Sequence, residues 1–317
     1  MKPISVSILI CTHNRGEILA RTIDSAGAMT LPPGVALELV VIANACTDRT
    51  PEVARERCQA LPFPARCVEE PIVGLSAARN RAMREAANDI LAFIDDDVLL
   101  EPAWLEGLCE VLRTTPAEII AGRVELWWEA VQEPAWISPP LANLLSRTSH
   151  GDQPRELEAA TMVVGANYAY SRRVYEKTGE YRTDLGRKGA SGMGAGEEGE
   201  YVRRAMAAGF KLFCAPKMSL RHWVHPKRVD PAYFRKAAIG LGWTNVAMKE
   251  RFPLPVALRS LVGHAYLFLR HGPAELASLL RGDQRGRYAH RVKRHIGQGG
   301  VAAGFRRVLG RPAIPGG

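Results

Sequence analysis

The stretch at residues 90–100, ILAFIDDDVLL, places three consecutive aspartates directly after five apolar residues. An apolar run of this length is typical of a strand that is buried on both faces. Because burying a carboxylate without a partner is costly, Asp95, Asp96 and Asp97 need solvent, a hydrogen-bond partner or a cation. Successive side chains of a strand alternate between its two faces. If the chain stays extended that far, Asp95 and Asp97 point to one side of the strand end and Asp96 to the other.

Strand patterns and helix patterns alternate along the first 115 residues. The predicted strands are 6–11, 37–43, 65–70 and 90–94, and the predicted helices are 16–28, 50–61, 74–88 and 102–113. This alternation predicts an α/β fold in which helices cover both faces of a parallel sheet. Polar clusters follow the first, second and fourth strands, and ligands of such sheets bind beyond the carboxyl ends of the strands. The sequence therefore predicts a ligand crevice that includes the three aspartates.

The pattern is looser in the second part of the chain. Strands are predicted at 119–128, 161–170 and 211–225. A Gly-rich loop that runs into a helix is predicted at 185–209, and the chain from residue 230 onward is predicted to be helical.

Basic residues are concentrated near the end of the chain. The net charge is +9, and residues 249–317 hold 13 Lys and Arg against 3 Asp and Glu. Such a segment indicates an anionic partner surface. Its segment 254–272 combines apolar runs with Arg259 and Arg270, which is typical of a helix in a membrane interface and equally of a helix that packs on the rest of the chain. Nucleic acid is not expected, because no recognised binding motif accompanies the charge.

The sequence also bears on where the protein works. The N-terminus lacks the organisation of a signal peptide, and no apolar stretch reaches the ~20 residues of a membrane span. None of the six cysteines lies in a CxxC pair, which fits buried thiols in a reducing compartment. We expect a cytoplasmic location, or a peripheral one on the inner face of the cytoplasmic membrane.

Two carboxylates on one side of a strand end can hold a divalent cation. Mg²⁺ and Mn²⁺ prefer oxygen ligands, and either cation can neutralise a diphosphate. The other interpretation is a solvated turn whose acids cap a helix, and the aspartates alone do not decide between the two.

Six further motifs accompany the aspartates: ICTHNR, NACTDRT, GLSAARNRA, GANYAY, LGRKG and GEEGEY. The set resembles the family 2 glycosyltransferases of the GT-A fold, in the same order and over roughly residues 4–235. The resemblance implies a Rossmann-like, mostly parallel sheet flanked by helices, with a C-terminal helical extension. It also implies an inverting enzyme that moves a sugar from a nucleotide-diphosphate sugar to an acceptor hydroxyl, in the synthesis of a bacterial-type glycan, glycolipid or glycoside.

The same resemblance divides the chain. Residues 1–229 would form the catalytic domain, with a nucleotide-binding half at 1–115 and an acceptor half at 116–229. Residues 230–317 would form the basic helical extension.

The donor site is expected at the ends of the first two strands. By resemblance, Thr12, Asn14 and Arg15 would line the base and ribose. The acid that pairs with uracil in the family is replaced here by Ala43 or Asn44, and the Asn44 amide can still bond a uracil edge because it both donates and accepts. The donor nucleotide is expected to be UDP, with GDP and dTDP as alternatives. Two arginines would reach the nucleotide: Arg79 at its base, ribose or phosphate, and Arg228 at its diphosphate.

A second acidic motif carries the expected catalytic base. Glu197 and Glu198 match the acidic pair that opens a helix in the family. One of them would take the proton of the acceptor hydroxyl while that oxygen attacks the anomeric carbon. We favour Glu198 as the base and Glu197 as its orienting partner, although the two roles can be exchanged. Both acids would also favour a helix N-terminus through its dipole.

The metal site is expected to combine the aspartates with a histidine. His222 matches the family pattern H-x-V-x-P-x-R and would hold Mn²⁺ or Mg²⁺ together with Asp97, with His225 as the alternative ligand. Asp95 would contact the metal or the ribose. Asp96 would bond the backbone or support the donor site.

The sugar and acceptor pocket is expected around the motifs GANYAY and LGRKG. Backbone can approach a ligand closely at a glycine. The residues expected there are Gly165, Ala166, Asn167, Gly186 and Trp127. Trp127, like Trp128 and Trp136, could stack on a sugar or serve as a core anchor. The acceptor would be a carbohydrate, a lipid-linked glycan or a small molecule.

Two other functions are compatible with parts of the pattern. An Asp-x-Asp after a strand also marks aspartyl-phosphate phosphohydrolases, although there the pair follows the first strand. A non-catalytic module that binds nucleotide sugars or membrane would not require the complete set of acids and histidine.

Overall fold

The computed structural model describes residues 3–187, 196–249 and 253–313. The chain forms two compact units. We call the first the sheet unit; it comprises Met1–Trp127, Ser146–Thr183 and Glu197–Trp223. We call the second the helical unit; it comprises Trp128–Leu145, Asp184–Gly196 and Val224–Gly317. The predicted boundaries at residues 115 and 229 stay predictions about the catalytic organisation.

The described strands all belong to the sheet unit. They are β1 (Ile4–Thr12), β2 (Val35–Asn44), β3 (Ala65–Glu70), β4 (Ile90–Ile94), β5 (Val98–Leu100), β6 (Ile119–Trp127), β7 (Arg155–Glu156), β8 (Asn167–Ser171) and β9 (Leu212–Trp223).

The described α-helices follow in the same chain order. They are α1 (Gly16–Gly27), α2 (Thr50–Gln59), α3 (Leu75–Glu85), α4 (Trp104–Thr114), α5 (Pro139–Ala142), α6 (Arg172–Thr178), α7 (Glu197–Ala207), α8 (Pro231–Ala247), α9 (Leu254–Leu280) and α10 (Gln284–Val308). Short 3₁₀ helices lie at Asn143–Leu145, Ala160–Met162 and Pro226–Val229.

The sheet has the order β3-β2-β1-β4-β8-β6-β9-β5, and β7 pairs with β9. Strands β1 to β4 pair in parallel, as the alternation of strands and helices predicts. β8 then runs antiparallel between β4 and β6. The sheet is therefore parallel in its first half and mixed in its second, where the sequence pattern is looser.

The central strands are apolar because both of their faces are covered. All five residues of β4 are buried. One face of the sheet packs on α1 and α4 through residues such as Leu19 and Leu108, and the other packs on α3 and α7 through residues such as Ala82 and Val202. A strand in this position has no solvent-facing side, so polar side chains are confined to its ends.

The chain does not leave the core after the three aspartates. Strand β5 begins directly at Val98 and pairs antiparallel with β9, with Val98 opposite His222. β5 has only three residues, which is too short for a periodic pattern to reveal it. This register places His222 beside the aspartate turn.

One predicted strand differs from the structure, and one predicted loop lies largely outside the described residues. The strand expected at 161–170 is confined to β8, which begins at Asn167, because Ala160–Met162 forms a 3₁₀ helix and the chain then passes Arg79 at Gly165. The Gly-rich loop expected before α7 lies largely at 188–195, outside the described residues.

Asn167 locks the end of β8 into the sheet unit. It pairs with Ile94 across the ladder. Its Oδ1 accepts from Trp104 Nε1 at 2.9 Å, and its Nδ2 donates to the carbonyl oxygens of Arg123 and Met218, each at 2.8 Å. Gly122 leaves the space for this amide, since a Cβ there would lie 2.6 Å from Met218 O.

Helices α8, α9 and α10 pack together in the helical unit through glycines. A Cβ on Gly297 would lie 2.6 Å from His264 O, and one on Gly304 would lie 2.7 Å from Leu261 Cδ2. None of the described helices is long and apolar enough to cross a membrane.

Candidate functional site

Two carboxylates and one imidazole converge just beyond the end of β4. His222 Nε2 lies 3.3 Å from Asp97 Oδ1 and 3.6 Å from Asp95 Oδ2. The three potential ligand atoms all lie within 4.8 Å of one another. Asp97 and His222 have side chains that are 1% exposed, whereas Asp95 is 35% exposed. The cluster is therefore closed on the core side and reachable from solvent at Asp95.

Backbone bonds hold this cluster in shape. Trp223 N donates to Asp97 O at 2.8 Å, which joins the aspartate turn to β9. Thr22 in α1 donates through Oγ1 to Asp96 O at 2.9 Å and accepts from Val98 N at 3.1 Å. Thr22 lies outside every sequence motif named above. The one indication in the sequence is that Thr22 is a polar residue on the same buried side of the helix as Leu19 and Ile23.

Asp96 points away from the cluster and into the first loop. Its Oδ2 accepts from Thr12 Oγ1 at 2.7 Å, and its Oδ1 accepts from Arg15 Nη1 at 2.7 Å. Burial raises the pKa of Asp96 to about 6, helped by Asp97 and opposed by Arg15 and Thr12. Asp96 thus faces the first loop while Asp95 and Asp97 face His222, and Asp96 and Asp97 lie in a turn rather than in a continuation of the strand.

Arg15 bridges two of the three aspartates. Its Nη2 lies 2.6 Å from Asp97 Oδ2, in addition to the bond to Asp96. Its backbone N donates to Thr50 Oγ1 at 2.9 Å. The charge of Arg15 thus offsets carboxylate charge in the site, and its contact with base or ribose stays a prediction.

Two asparagines predicted at the donor site organise its loops. Asn14 has a positive φ of 53°, and its amide donates to Thr47 Oγ1 at 3.0 Å and accepts from Thr47 N at 2.8 Å. Asn44 Nδ2 donates to Ile72 O at 2.7 Å and to Glu70 O at 3.1 Å, and its Oδ1 accepts from Gly74 N at 2.9 Å. These backbone bonds use both ends of the Asn44 amide, so its pairing with a uracil edge stays a prediction.

The aspartates and histidine fit a divalent cation. Two carboxylates and an imidazole within reach of one point are a donor set that Mn²⁺ and Mg²⁺ sites can use. A cation between Asp95 and Asp97 would also relieve their mutual repulsion. Within the described ranges, one group of three or more His, Cys, Asp or Glu side chains has its ligand atoms close enough together to hold a metal ion. It consists of Asp95, Asp97 and His222.

Glu197 and Glu198 form a second acidic site at the first turn of α7. Arg79, which is 3% exposed, donates through Nη1 to Glu197 Oε1 and lies 4.0 Å from Glu198 Oε2. Glu197 Oε2 is buried and has no hydrogen-bond partner among residues 3–187, 196–249 and 253–313. Glu198 keeps a side chain that is 21% exposed.

Glu198, the partly exposed member of this pair, has a raised affinity for a proton. Burial raises the pKa of Glu198 to about 7, and the charge of Glu197 adds to the effect while Arg79 opposes it. Asp95 also raises the pKa of Glu198, so the two acidic sites act on each other. A carboxylate with this pKa can both accept and release a proton near neutral pH.

Arg79 is held from behind by aromatic rings. Its guanidinium lies 5.8 Å from the ring centroids of Tyr168 and Tyr181 and 6.0 Å from that of Phe93. Gly165 allows this packing, because a Cβ there would lie 2.6 Å from Arg79 Nη2. The structure therefore places Arg79 against the acidic pair, and its contact with a nucleotide stays a prediction.

The remaining residues predicted for the sugar pocket lie in several environments. Ala166 is buried beside Asn167 in the core. Trp127 is 9% exposed, and the Arg21 guanidinium lies 4.2 Å from the centroid of its ring. Gly186 and Arg228 belong to the helical unit, where Gly186 has a φ of 86° and Arg228 N donates to His225 O at 2.7 Å. Their roles toward a sugar or a diphosphate stay predictions.

Comparison with known proteins places this geometry in context. The family model described as Glycosyl transferase family 2 matches residues 7–179. The glucosyl-dolichyl phosphate glucuronosyltransferase of Haloferax volcanii is 24% identical over 253 residues, which cover 79% of this chain and 79% of that protein.

Two solved structures are similar in fold. The mannosyltransferase PcManGT of Pyrobaculum calidifontis, in complex with GDP-Man and Mn²⁺, has a TM-score of 0.60 at 19% identity and covers 92% of this chain and 86% of its own. S. aureus TarS 1-349 in complex with UDP has a TM-score of 0.53 at 13% identity and covers 97% and 92%. The predicted GT-A fold, with a central sheet flanked by helices and a C-terminal helical region, is confirmed.

The buried pair of Arg79 and Glu197 gives a stability prediction. Replacing Arg79 by Met leaves Glu197 buried without its charge partner, which we expect to cost about 3–5 kcal/mol of the free energy of unfolding. The double variant Arg79→Met/Glu197→Gln removes both charges and is expected to recover part of this loss. Urea denaturation of the three proteins measures the effect.

The matched control is Arg173→Met. Arg173 is 78% exposed and pairs with Glu118 at 3.1 Å, so its loss should cost less than about 1 kcal/mol. An Arg79→Met variant as stable as the Arg173→Met variant would contradict the structural role of the buried pair.

Proposed function

The chain belongs to glycosyl transferase family 2, and we propose that it moves a sugar, with inversion at the anomeric carbon, from a nucleotide-diphosphate sugar to an acceptor hydroxyl. One observation carries the proposal: the sheet unit brings a carboxylate–histidine cluster and an acidic pair, in which Glu198 has a raised pKa, to neighbouring positions. The first suits a diphosphate with its cation, and the second suits an acceptor hydroxyl.

We propose that the donor is a UDP-sugar bound together with Mn²⁺ or Mg²⁺. Asp95, Asp97 and His222 would hold the cation. When bound, it would neutralise the negative charge that develops on the departing nucleoside diphosphate. The similar fold solved with UDP supports UDP, and the one solved with GDP-Man and Mn²⁺ keeps GDP as an alternative.

Residues of the first loops would bind the rest of the donor. Thr12 and Arg15 already hold Asp96, so the loop that would bind the nucleoside is tied directly to the aspartate turn. Asn14 and Asn44 would shape the base pocket through the backbone that they hold. Arg79 would act through the acidic pair, and Arg228 remains proposed for the diphosphate.

Glu198 is the proposed base. Arg79 neutralises Glu197, which leaves Glu198 as the partly exposed carboxylate with a pKa of about 7. It would accept the proton of the acceptor hydroxyl during attack, and direct attack needs no covalent sugar–enzyme intermediate. The unpartnered Oε2 of Glu197 would bond the acceptor or orient Glu198.

The acceptor is proposed to be a glycan, a lipid-linked glycan or a small glycoside precursor. The relative from Haloferax volcanii is named for a dolichyl phosphate substrate, which favours testing lipid-linked acceptors first. Gly165, Ala166, Asn167, Gly186 and Trp127 are proposed to shape the sugar pocket. A peripheral position on the inner face of the cytoplasmic membrane would give access to such acceptors.

The two alternative functions are not favoured. A phosphohydrolase would carry its Asp-x-Asp after the first strand, whereas here it follows β4. A non-catalytic binding module would have no use for an acid pair in which one carboxylate has a raised pKa.

Replacing Glu198 by Gln tests the proposed base. Donor binding should be nearly unchanged, because Glu198 is proposed to contact only the acceptor. Transfer should fall by about 10²–10⁴-fold, the typical contribution of a positioned base. The assay is release of nucleoside diphosphate from UDP-, GDP- and dTDP-sugars with Mn²⁺ and a panel of acceptors.

The control for this experiment is Glu176→Gln, which changes an exposed glutamate in α6 by the same atoms. Its transfer rate should match that of the unchanged enzyme. Normal transfer by the Glu198→Gln variant would remove Glu198 from the mechanism. If the Glu197→Gln variant lost transfer at the same time, the two roles would be exchanged.

The raised pKa of Glu198 predicts a pH dependence. The base must be deprotonated, so kcat/KM should rise with pH and level off above an apparent pKa of about 7. The Glu197→Gln change removes a negative charge that raises this pKa. In that variant the acid limb of the profile should move to lower pH, and an acid limb that stays in place would contradict the coupling between the two carboxylates.

A further inference from the structure

Helix α9 exposes its large apolar residues and buries its small and polar ones. Its buried residues are Ala257, Ser260, His271 and Ser278. A helix on the surface of a soluble protein has the opposite arrangement, with an apolar stripe toward the core and polar residues toward water. The outward apolar face therefore needs an explanation other than the packing of the helical unit.

The inward face of α9 is explained by α10. Glycines of α10 let the two helices approach closely, with Gly297 against the backbone of His264 and Phe268. Glu275 accepts from Arg291 Nε at 2.6 Å and from Arg294 Nε at 3.0 Å. Small side chains and ion pairs thus make the contact between the helices, and the large apolar side chains are left for the other side.

The outward face forms a continuous row, which we call the outer stripe. Its members are spaced by four or seven residues, so they share one face of the helix. Each is between 54% and 79% exposed. The outer stripe consists of Leu254, Leu258, Val262, Leu269, Leu276 and Leu280.

Basic residues border the outer stripe. Arg259 and Arg270 are exposed and lie eleven residues apart, a spacing that puts them on the same edge of α9. Arg281 is exposed directly after its last residue. The one acid in the sequence of α9, Glu275, is paired with α10. The surface around the outer stripe is therefore apolar in the middle and positive at the edge.

We propose that the outer stripe of α9 is a docking face for an anionic lipid bilayer. The helix would lie in the plane of the interface, with the stripe in the acyl boundary and the arginines at the anionic headgroups. Arginine stems can cover apolar surface while their charged ends stay at the headgroups. The apolar area and the charge each favour this partner independently.

Charge decides between a bilayer and a second copy of the chain. A symmetric pair of α9 helices would bring the same arginine edges together, and like charges at close range are destabilising. An anionic surface meets the same edges with opposite charge. The docking proposal rests on the proposed function only in placing the acceptor at a membrane. The binding of lipid by the outer stripe can be measured without turnover.

The test is flotation of the full-length protein with vesicles of phosphatidylcholine, with and without phosphatidylglycerol. We expect binding only to the anionic vesicles, and weaker binding at high salt. Val262→Glu should lower the partition coefficient about tenfold or more, because it puts a charge where an apolar side chain would be buried in the bilayer. Arg259→Gln/Arg270→Gln should reduce the preference for phosphatidylglycerol.

The matched control is Leu31→Glu, which makes the same kind of change at a 48% exposed position of the sheet unit and should bind vesicles as the unchanged protein does. Equal binding by the Val262→Glu and Leu31→Glu variants, or no binding to anionic vesicles, would overturn the proposal. A dimer in light scattering that the Val262→Glu change abolishes would assign the stripe to a second copy instead.

The same variants separate this proposal from the transferase proposal. Thermal shifts with UDP and Mn²⁺ should be equal for the unchanged protein and for Val262→Glu. Lipid binding without any response to nucleotides would support the docking face and count against the transferase, whereas the opposite pattern would count against the docking face alone.

Discussion

The site depends on how three adjacent carboxylates are stabilised at the end of a buried strand. Strand β4 has no solvent-facing side, so its aspartates emerge where desolvation is severe. Two shared partners, Arg15 and His222, stabilise the three side chains, together with Thr12 and solvent. Asp96 binds Thr12 and Arg15, Asp97 binds Arg15 and faces His222, and Asp95 faces His222 and solvent. The loop after β1, the start of α2 through Thr50, and strand β9 are all tied to this turn.

The acidic pair of α7 follows the same physical logic on a smaller scale. Arg79 bonds Glu197 and lies farther from Glu198, so the two carboxylates do not share its charge equally. Burial, with the nearby Glu197, gives Glu198 a high proton affinity, while Glu197 is held in an ion pair with Arg79. Aromatic rings and Gly165 hold Arg79 in that position, so the difference between the acids is built into the core of the sheet unit.

Much of this arrangement follows from local sequence. The expected separation of Asp96 from Asp95 and Asp97 is present, but a turn at Asp96 and Asp97 produces it rather than alternation along an extended strand. The parallel half of the sheet follows from its alternating strands and helices. Other features depend on contacts between residues far apart in sequence, which a local pattern does not predict. Arg79 bonds Glu197, 118 residues away, and the amide of Asn44 bonds the backbone at 70–74. The short β5 and the late start of β8 depend on pairing partners, which periodicity does not reveal.

We propose that the aspartates and His222 hold the cation through which a nucleoside diphosphate is bound. The most direct measurement is calorimetric titration of UDP and GDP into the protein, with Mn²⁺ and after complete removal of divalent cations. We expect binding of at least one nucleotide with Mn²⁺, and at least a tenfold loss of that affinity, roughly 1.4 kcal/mol, without the cation or in an Asp97→Asn variant. Tight nucleotide binding that is unchanged by removal of the cation would contradict it.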